Sequence, residues 1–388
     1  MWDRRCWAIC IAGIAAFINL YTPQAVLPAI GASFGAGPLV TGLAITATLL
    51  AVALVAPAAG GISDALGRKR LIVRACAALA VPSLLIALSP DVTVLIALRF
   101  AQGLLLPFIF TVTIAYIGDE CPGAAGVRAA SAYGIGSILG GFGGRLVAGV
   151  VTDAVNWRAG FAAIAVCTVA GALAIGRLLP EERNFRPVPG GIRRTLATMR
   201  QLLRDRRLVM TCGIGFMMLF NMVAGFTYLN FRLAAAPFGL GPAALGAVFT
   251  VYLLGLVTTA VATRLTLRIG RRGTLLVAAG FSLCGIALTL PDRLPTIIAG
   301  MAMVSGGMFV VQTLSLGFIA AGVKQAKSTA VGMYVTVYYV GGASGAVVPA
   351  VAWHAAGWNG VAGMVAAGCL AVAGLAGVAW RGRWDTDA

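Results

Sequence analysis

Two arginines lie deep inside long apolar stretches of this sequence, where a charged side chain is costly. Arg99 lies in the run LRFAQG, three residues before Gln102, and Arg145 lies in the glycine-rich run GIGSILGGFGGRLVAG. An arginine at the centre of a membrane-crossing helix costs about 2.5–3.5 kcal/mol on insertion scales. We therefore expect each guanidinium to face a cavity or a partner. The alternative is that each arginine caps backbone carbonyls and holds helices together.

Carboxylates are absent from the middle of every apolar stretch of the sequence. Those nearest to the predicted membrane ends are Asp64, Asp119, Glu120 and Asp153. Proton coupling would therefore run through Asp119 or Asp153, or through the arginines responding to charge elsewhere, or it would not occur at all. The candidates for proton coupling are Arg99, Asp119, Asp153 and Arg145. The sole histidine, His354, is interpreted as a loop residue.

A basic turn, GGISDALGRKR, separates two apolar stretches and is partly repeated later. Asp64, Gly67 and Arg68 of the first copy correspond, 203 residues on, to Leu267, Gly270 and Arg271. Glycine at the centre permits a sharp backbone turn. Taken alone, the acid and its basic neighbours are a surface ion-pair cluster worth about 0–1 kcal/mol.

Amide and phenol side chains also lie within the apolar stretches. In a membrane such polar groups normally face an interior cavity. A cavity of this kind around one or two arginines suits a hydroxylated or anionic solute better than a lipophilic cation. The predicted substrate-cavity residues are Tyr21, Gln24, Gln102, Asn221, Gln312 and Tyr338.

Composition predicts that these residues are positioned by membrane-spanning helices. Hydrophobic residues make up 60% of the 388 residues and charged residues 11%, against about 25% charged in an ordinary soluble domain. A spanning helix needs roughly 20 apolar residues. The predicted spans are 6–30, 39–63, 71–89, 92–118, 129–153, 157–179, 208–233, 241–266, 273–290, 294–320, 329–352 and 358–380.

An internal repeat divides the twelve predicted spans into two halves. At an offset of 201, Gly140, Gly144 and Trp157 correspond to Gly341, Gly345 and Trp358. We predict an all-α integral-membrane fold with two six-helix bundles in parallel repeat. Residues 1–179 form the first bundle, 180–207 a cytoplasmic linker with an interfacial helix at 192–203, and 208–388 the second bundle. The glycines of the fifth span predict close helix packing or a smooth surface on which the halves rock.

The charge distribution predicts the orientation of the chain. Lysine and arginine total 29 against 12 acids, a net charge of +17. If the N-terminus is cytoplasmic, most of the 29 fall in cytoplasmic segments, which is the positive-inside rule with both termini inside. The basic surface then faces the lipid bilayer, and nucleic acid is not an expected partner. The initial MWDRR precedes a retained first span and not a cleaved signal peptide.

Other chemistries have little support in the sequence. The eight cysteines are scattered and suggest neither a disulfide framework nor a metal site. Nucleotide-binding and metalloprotease motifs are missing as well. We therefore expect no enzyme, no cofactor and no metal.

The basic turn resembles the loop between the second and third helices of the major facilitator superfamily. In that family the acid and arginine of the loop help to hold the outward-facing state. The resemblance implies a gating role for Asp64, Gly67 and Arg68. It does not extend to the second copy, where Leu267 replaces the acid.

Further segments carry the resemblance along nearly the whole chain. Arg99 with Gln102-Gly103 resembles the conserved arginine motif of proton-coupled facilitators, where the arginine is tied to proton transfer. The fifth span keeps the glycines of the antiporter signature but has no Gly-Pro pair. The segments LYTPQAVLP, TDAVNWR, LPEERNFRP and WHAAGWNG look like the YnfM-type transporters of the bacterial inner membrane. This implies a monomeric efflux permease of the arabinose or drug type.

Two functions remain open from the sequence. The first is export of a small organic solute, sugar or drug-like, across the inner membrane by proton antiport with alternating access. The second is uncoupled or uptake facilitation of a hydroxylated or anionic small molecule. The expected partners are the solute, protons and the lipid bilayer.

Overall fold

The computed structural model describes residues 2–182, 192–323 and 327–380. Within the helices, the side chains at 60–61, 64–66, 192–196, 256, 320 and 327–328 fall outside the description. The predicted gating residue Asp64 is among these, so only its place near the end of a helix is known.

The described chain is helical, and its helices form two compact units. The first unit comprises residues 1–192 together with 240–249, and the second comprises 193–239 and 250–388. The helices of the first unit are α1 Arg4–Leu20, α2 Leu27–Phe34, α3 Pro38–Leu66, α4 Arg68–Ala87, α5 Val92–Leu105, α6 Pro107–Glu120, α7 Ala124–Ala154, α8 Trp157–Leu178 and α11 Pro242–Val248. Those of the second are α9 Ile192–Leu202, α10 Arg206–Ala234, α12 Leu254–Leu288, α13 Leu294–Gly322, α14 Lys327–Val347 and α15 Pro349–Ala379.

These helices make twelve membrane spans, as predicted. Within the described residues, nine helical runs are long and apolar enough to cross a membrane. The 47-residue run Pro242–Leu288 turns at Gly270, where φ is 72°, and therefore supplies two crossings. The stretch from α1 through α2 and the helix α14 supply the remaining two.

Some of the spans that the sequence predicts as continuous are interrupted, among them the first and the fourth. The first span breaks between α1 and α2 at a 3-10 turn, Thr22–Ala25. Pro23 lacks the N–H that an α-helix would use there. Pro28 is the second residue of α2 and lies in its first turn. The fourth span consists of α5 and α6, which meet at Pro107 while Leu106 keeps helical backbone angles.

The glycine seam of α7 packs inside the first unit, against α1. A Cβ atom at Gly140 would lie 2.6 Å from the carbonyl oxygen of Ile14, and one at Gly144 would overlap the carbonyl of Ile18. The seam therefore brings two backbones of one bundle into contact, which is the packing interpretation of these glycines.

The second unit repeats this contact with equivalent residues. A Cβ at Gly341 of α14 would overlap the carbonyl of Phe216, and one at Gly345 would overlap that of Phe220. The two basic turns also share a backbone conformation, since φ is 86° at Gly67 and 72° at Gly270. The sequence repeat is thus a structural repeat.

Candidate substrate and coupling site

Arg99 is buried in the first unit and binds the end of α1. Its relative exposure is 0%. Nη1 donates to the carbonyl of Asn19 at 2.9 Å and Nη2 to that of Leu20 at 2.7 Å, while Nε donates to the carbonyl of Ala44 in α3 at 3.2 Å. The last carbonyls of a helix have no partner within the helix and carry negative partial charge. Arg99 therefore caps α1 at the point where the first span breaks.

A chain of hydrogen bonds leads from Arg99 across the bundle. Nη1 of Arg99 also donates to Oε1 of Gln102, and Nε2 of Gln102 donates to Oγ of Ser83 at 2.7 Å. Ser83 donates to Oδ1 of Asn19 at 2.8 Å, and Nδ2 of Asn19 donates to Oγ1 of Thr168 at 2.8 Å. The predicted cavity residue Gln102 thus belongs to a buried network that joins α1, α4, α5 and α8.

Arg145 binds the same interruption of the first span, through the 3-10 turn that follows α1. Its exposure is 1%, and Nε and Nη2 donate to Oε1 of Gln24 at 3.0 and 2.6 Å. Nη1 donates to the carbonyl of Gly141 at 2.6 Å. The guanidinium lies between the rings of Tyr21 and Phe249, at 4.5 and 4.3 Å from their centroids.

The break in the first span is therefore the structural link between the two arginines. Arg99 binds the carbonyls just before it, and Arg145 binds Tyr21 and Gln24 within it. Tyr21 and Gln24 were predicted as cavity residues, and the structure places both beside Arg145. Discontinuous helices of this kind form the substrate and ion sites of many secondary transporters.

Asp119 lies in the predicted gating cluster. Its Oδ2 accepts from Nε of Arg68 at 3.0 Å, and Nη1 of Arg68 also contacts Oγ of Ser63. Glu182 accepts from the backbone N–H groups of Arg68 and Lys69 at 3.1 and 3.2 Å, which satisfies the N-terminus of α4. A Cβ at Gly67 would lie 2.5 Å from Oε1 of Glu182. Among the predicted residues, Gly67, Arg68 and Asp119 thus form one cluster.

The remaining predicted residues lie apart from these clusters. Asp153 is exposed at the end of α7, beside the backbone of Gly241. Gln312 is half-buried on α13. Tyr338 stacks on Tyr334 with ring centroids 6.0 Å apart. Asn221 is buried where α10 meets α15, with Nδ2 3.6 Å from Sγ of Cys369.

Several residues of these clusters were missed as site residues by sequence reasoning, although the repeat carried a signal for some. Asn19 and Asn221 are 202 residues apart, and their partners Thr168 and Cys369 are 201 apart. The internal repeat therefore contains a duplicated asparagine contact. Ser83, Glu182 and Phe249 had no comparable signal, because their roles depend on which helix faces meet.

The network has diverged between the halves. At offsets of 202 and 203, Arg99 corresponds to Met301 or Ala302, and Ser83 to Gly285 or Ile286. Consistent with the lost hydroxyl, the buried Oδ1 of Asn221 has no hydrogen-bond partner among the residues that the structure describes. The arginine-centred network is thus a property of the first half.

Comparison with known proteins identifies the family. The model of the Major Facilitator Superfamily matches residues 9–346. The chain is 32% identical over 361 residues to the inner membrane transport protein YnfM of Escherichia coli strain K12, covering 92% of this chain and 86% of YnfM. Its fold is similar to that of the nucleoside transporter NupG, with a TM-score of 0.79 and 12% identity over 97% of this chain and 100% of NupG. It is also similar to a D-xylose-proton symporter, with a TM-score of 0.76, 14% identity and 97% coverage of each chain. With a matching family model over most of its length and the fold of solved transporters, this multi-pass membrane protein is a member of the major facilitator superfamily.

Proposed function

We propose that this protein exports a small organic solute across the bacterial inner membrane by proton antiport with alternating access. The observation that carries the proposal is that two buried arginines, Arg99 and Arg145, donate hydrogen bonds to the first span where it is interrupted. Polar backbone and side chains at membrane depth are tolerated where they line a cavity or are buried in protein. The amide and phenol beside Arg145 are suitable contacts for a polar solute.

The location and the direction of transport are supported by similarity. YnfM is an inner membrane transport protein, and the same membrane is proposed here, with both termini cytoplasmic and a monomer as the working unit. Export is supported by the resemblance of several segments to efflux permeases of the YnfM type and by the glycines that the fifth span shares with the antiporter signature.

Proton coupling is proposed to involve Arg99 and Arg145 at the break, with Asp119 and Asp153 as proton-carrying candidates. Asp119 supports a link between protonation and gating, because a protonated Asp119 would no longer form its ion pair with Arg68. Loss of that pair would weaken the hold on the loop at Gly67, which Ser63 and Glu182 also contact.

Uncoupled or uptake facilitation is the second candidate function. It is favoured by one specific observation, the absence of a carboxylate from the middle of any predicted span in the sequence. A facilitator needs no proton-carrying group, whereas an antiporter does.

A pH-gradient assay in proteoliposomes separates the two. Purified protein is reconstituted under an imposed gradient, and a pH-sensitive dye follows the gradient as sugars, organic anions and cationic drugs are added singly. Antiport predicts solute-dependent proton movement that Arg99→Ala abolishes. Solute flux without proton movement would identify a facilitator.

A further inference from the structure

Two nitrogens of Arg145 donate to the same oxygen atom of Gln24. Nε and Nη2 form the two-pronged edge of the guanidinium, and both donate to Oε1 of Gln24, at 3.0 and 2.6 Å. The same edge matches a carboxylate, whose two oxygens accept two parallel hydrogen bonds. Gln24 therefore occupies the position that a carboxylate would fill more completely.

Two aromatic rings lie against this guanidinium. The guanidinium carbon of Arg145 is 4.5 Å from the ring centre of Tyr21 and 4.3 Å from that of Phe249, while Nη1 donates to the carbonyl of Gly141. The Nε–Nη2 edge, which binds a side chain and not the backbone, is therefore where a ligand can replace the present partner. A planar group approaching along this edge is selected over a spherical one.

Gln24 lies where its side chain can rotate away from Arg145. It lies on the 3-10 turn Thr22–Ala25, between two helices and directly after Pro23. A rotation of its side chain releases the edge of Arg145 without breaking an α-helical hydrogen bond. Exchange of the amide oxygen for a carboxylate also strengthens the interaction, because the carboxylate adds an opposite charge and a second acceptor oxygen, as in a bidentate arginine–carboxylate pair.

We propose that Arg145 binds the carboxylate of the transported solute, with Gln24 as the group that this carboxylate displaces. The solute is accordingly a small organic acid in its ionised form. The inference rests on the proposed transport function and adds a substrate class to it. A neutral sugar, which offers single hydroxyl oxygens, fits the edge of Arg145 less well.

The test compares acids with their neutral counterparts on the purified full-length protein. Thermal unfolding is followed in chloride-free buffer with arabinonate against arabinose, gluconate against glucose and benzoate against benzamide. We expect at least one acid to raise the unfolding temperature while its neutral counterpart does not. Equal stabilisation by acid and neutral member of each pair, or none by any of the three acids, would overturn the proposal.

Two variants assign the effect to the edge of Arg145. Arg145→Gln is expected to weaken binding of the acid at least about 10-fold. Gln24→Leu is expected to tighten it several-fold, because the competing oxygen is removed, and this variant keeps the charged residue should Arg145→Gln fail to fold. Weaker binding in Gln24→Leu, or unchanged binding in a folded Arg145→Gln, contradicts the proposal.

Arg158→Gln is the matched control. Arg158 also stacks on an aromatic ring, with its guanidinium carbon 4.4 Å from the ring centre of Trp157, and it donates to the carbonyl of Ser89 at 2.6 Å. We expect its loss to leave acid binding unchanged.

Flux of neutral solutes in proteoliposomes, with no acid binding, would overturn the substrate class and leave the transport function standing. Absence of all flux would count against transport itself.

Discussion

Arg99 interacts with three helices through acceptors that are all neutral. Its donors reach backbone carbonyls of α1 and α3 and the side chain of Gln102 on its own helix. In the bilayer these carbonyls have no water to replace a lost donor. Arg99 could stabilise the interruption between α1 and α2, or it could take part in proton coupling. The two roles make different predictions for a variant that lacks this side chain.

Replacement of Arg99 by alanine should lower stability as well as abolish transport. Each buried acceptor that loses its donor costs about 1–3 kcal/mol, so we expect a decrease of at least about 2 kcal/mol in unfolding free energy. Thermal unfolding in detergent measures this, and proteoliposome flux measures transport. Arg177→Ala, at an exposed position at the end of α8, is the control. An Arg99→Ala protein that unfolds at the wild-type temperature would exclude the capping role.

The duplicated asparagine gives a second prediction at this scale. Asn19 is hydrogen-bonded to Ser83 and Thr168, whereas within the described part of the chain Oδ1 of Asn221 is buried without a partner and its Nδ2 contacts the weak acceptor Sγ of Cys369. Removing a satisfied buried group leaves its partners unpaired, but removing an unsatisfied one is close to neutral. We expect Asn19→Leu to lower the unfolding temperature clearly and Asn221→Leu to leave it nearly unchanged. Equal effects of the two substitutions would show that the halves have not diverged here.

The sequence predicted some of these residues for a physical reason. Arg99 and Arg145 were detectable because charge within an apolar run is costly wherever it lies. Ser83 and Thr168, which extend the network of Arg99 through Gln102 and Asn19, were not detectable, because they are ordinary residues on helices far apart in the chain. Phe249 could not be assigned to Arg145 without knowing that α11 packs in the first unit.

At the level of elements, close helix packing depends on a few glycines. Gly144 of α7 faces the carbonyl of Ile18, whereas the neighbouring Gly143 has nothing within 4 Å of the place of a Cβ. Gly144→Val should therefore push α7 away from α1 and cost about 1–3 kcal/mol or more. Gly143→Val, in the same helix, makes the same change in helix propensity without a clash against the backbone of α1. Size-exclusion profiles after a heating series compare the two, and similar losses would refute the packing role.

The N-terminus of α4 provides a prediction about the linker. Glu182 accepts two backbone N–H groups of α4, while Glu181 forms an exposed ion pair with Lys69 and has a side chain 70% exposed. Exposed pairs contribute about 0–1 kcal/mol, but loss of a helix cap costs about 0.5–2 kcal/mol. We expect Glu182→Ala to lower stability and to slow solute flux, with Glu181→Ala near wild type in both assays. A larger effect of Glu181→Ala would overturn the capping assignment.

Helices were predicted more accurately than their interruptions. Length and hydropathy alone define a span, and the structure contains a helix, Ile192–Leu202, where one was predicted at 192–203. The break at Pro23 depends on whether the surrounding side chains can satisfy the freed backbone groups. Here Arg99 does so by binding the carbonyls of Asn19 and Leu20, which the sequence around Pro23 does not reveal.

For the molecule as a whole, the two halves share a scaffold but not a charge pattern. The glycine contacts of α7 recur in α14, and the turn at Gly67 recurs at Gly270. The arginines of the break belong to the first half, and the acid of the first basic turn is replaced by Leu267 in the second. Duplication therefore preserved the packing, while the buried arginines Arg99 and Arg145 and their hydrogen bonds belong to the first half.

The distribution of basic residues leads to a prediction about orientation. Twelve spans place both termini on one side, and most of the 29 lysines and arginines then lie on that same side, which the positive-inside rule assigns to the cytoplasm. Alkaline phosphatase fused after Trp380 should be inactive, because its disulfides form in the periplasm and not in the cytosol. Fusions after Pro90 and Pro291, between α4 and α5 and between α12 and α13, should be active, and a fusion after Gly123 inactive. Activity at Trp380 together with inactivity at Pro90 would invert the orientation, and the Arg68–Asp119 cluster would then lie on the outer face and not in a cytoplasmic gate.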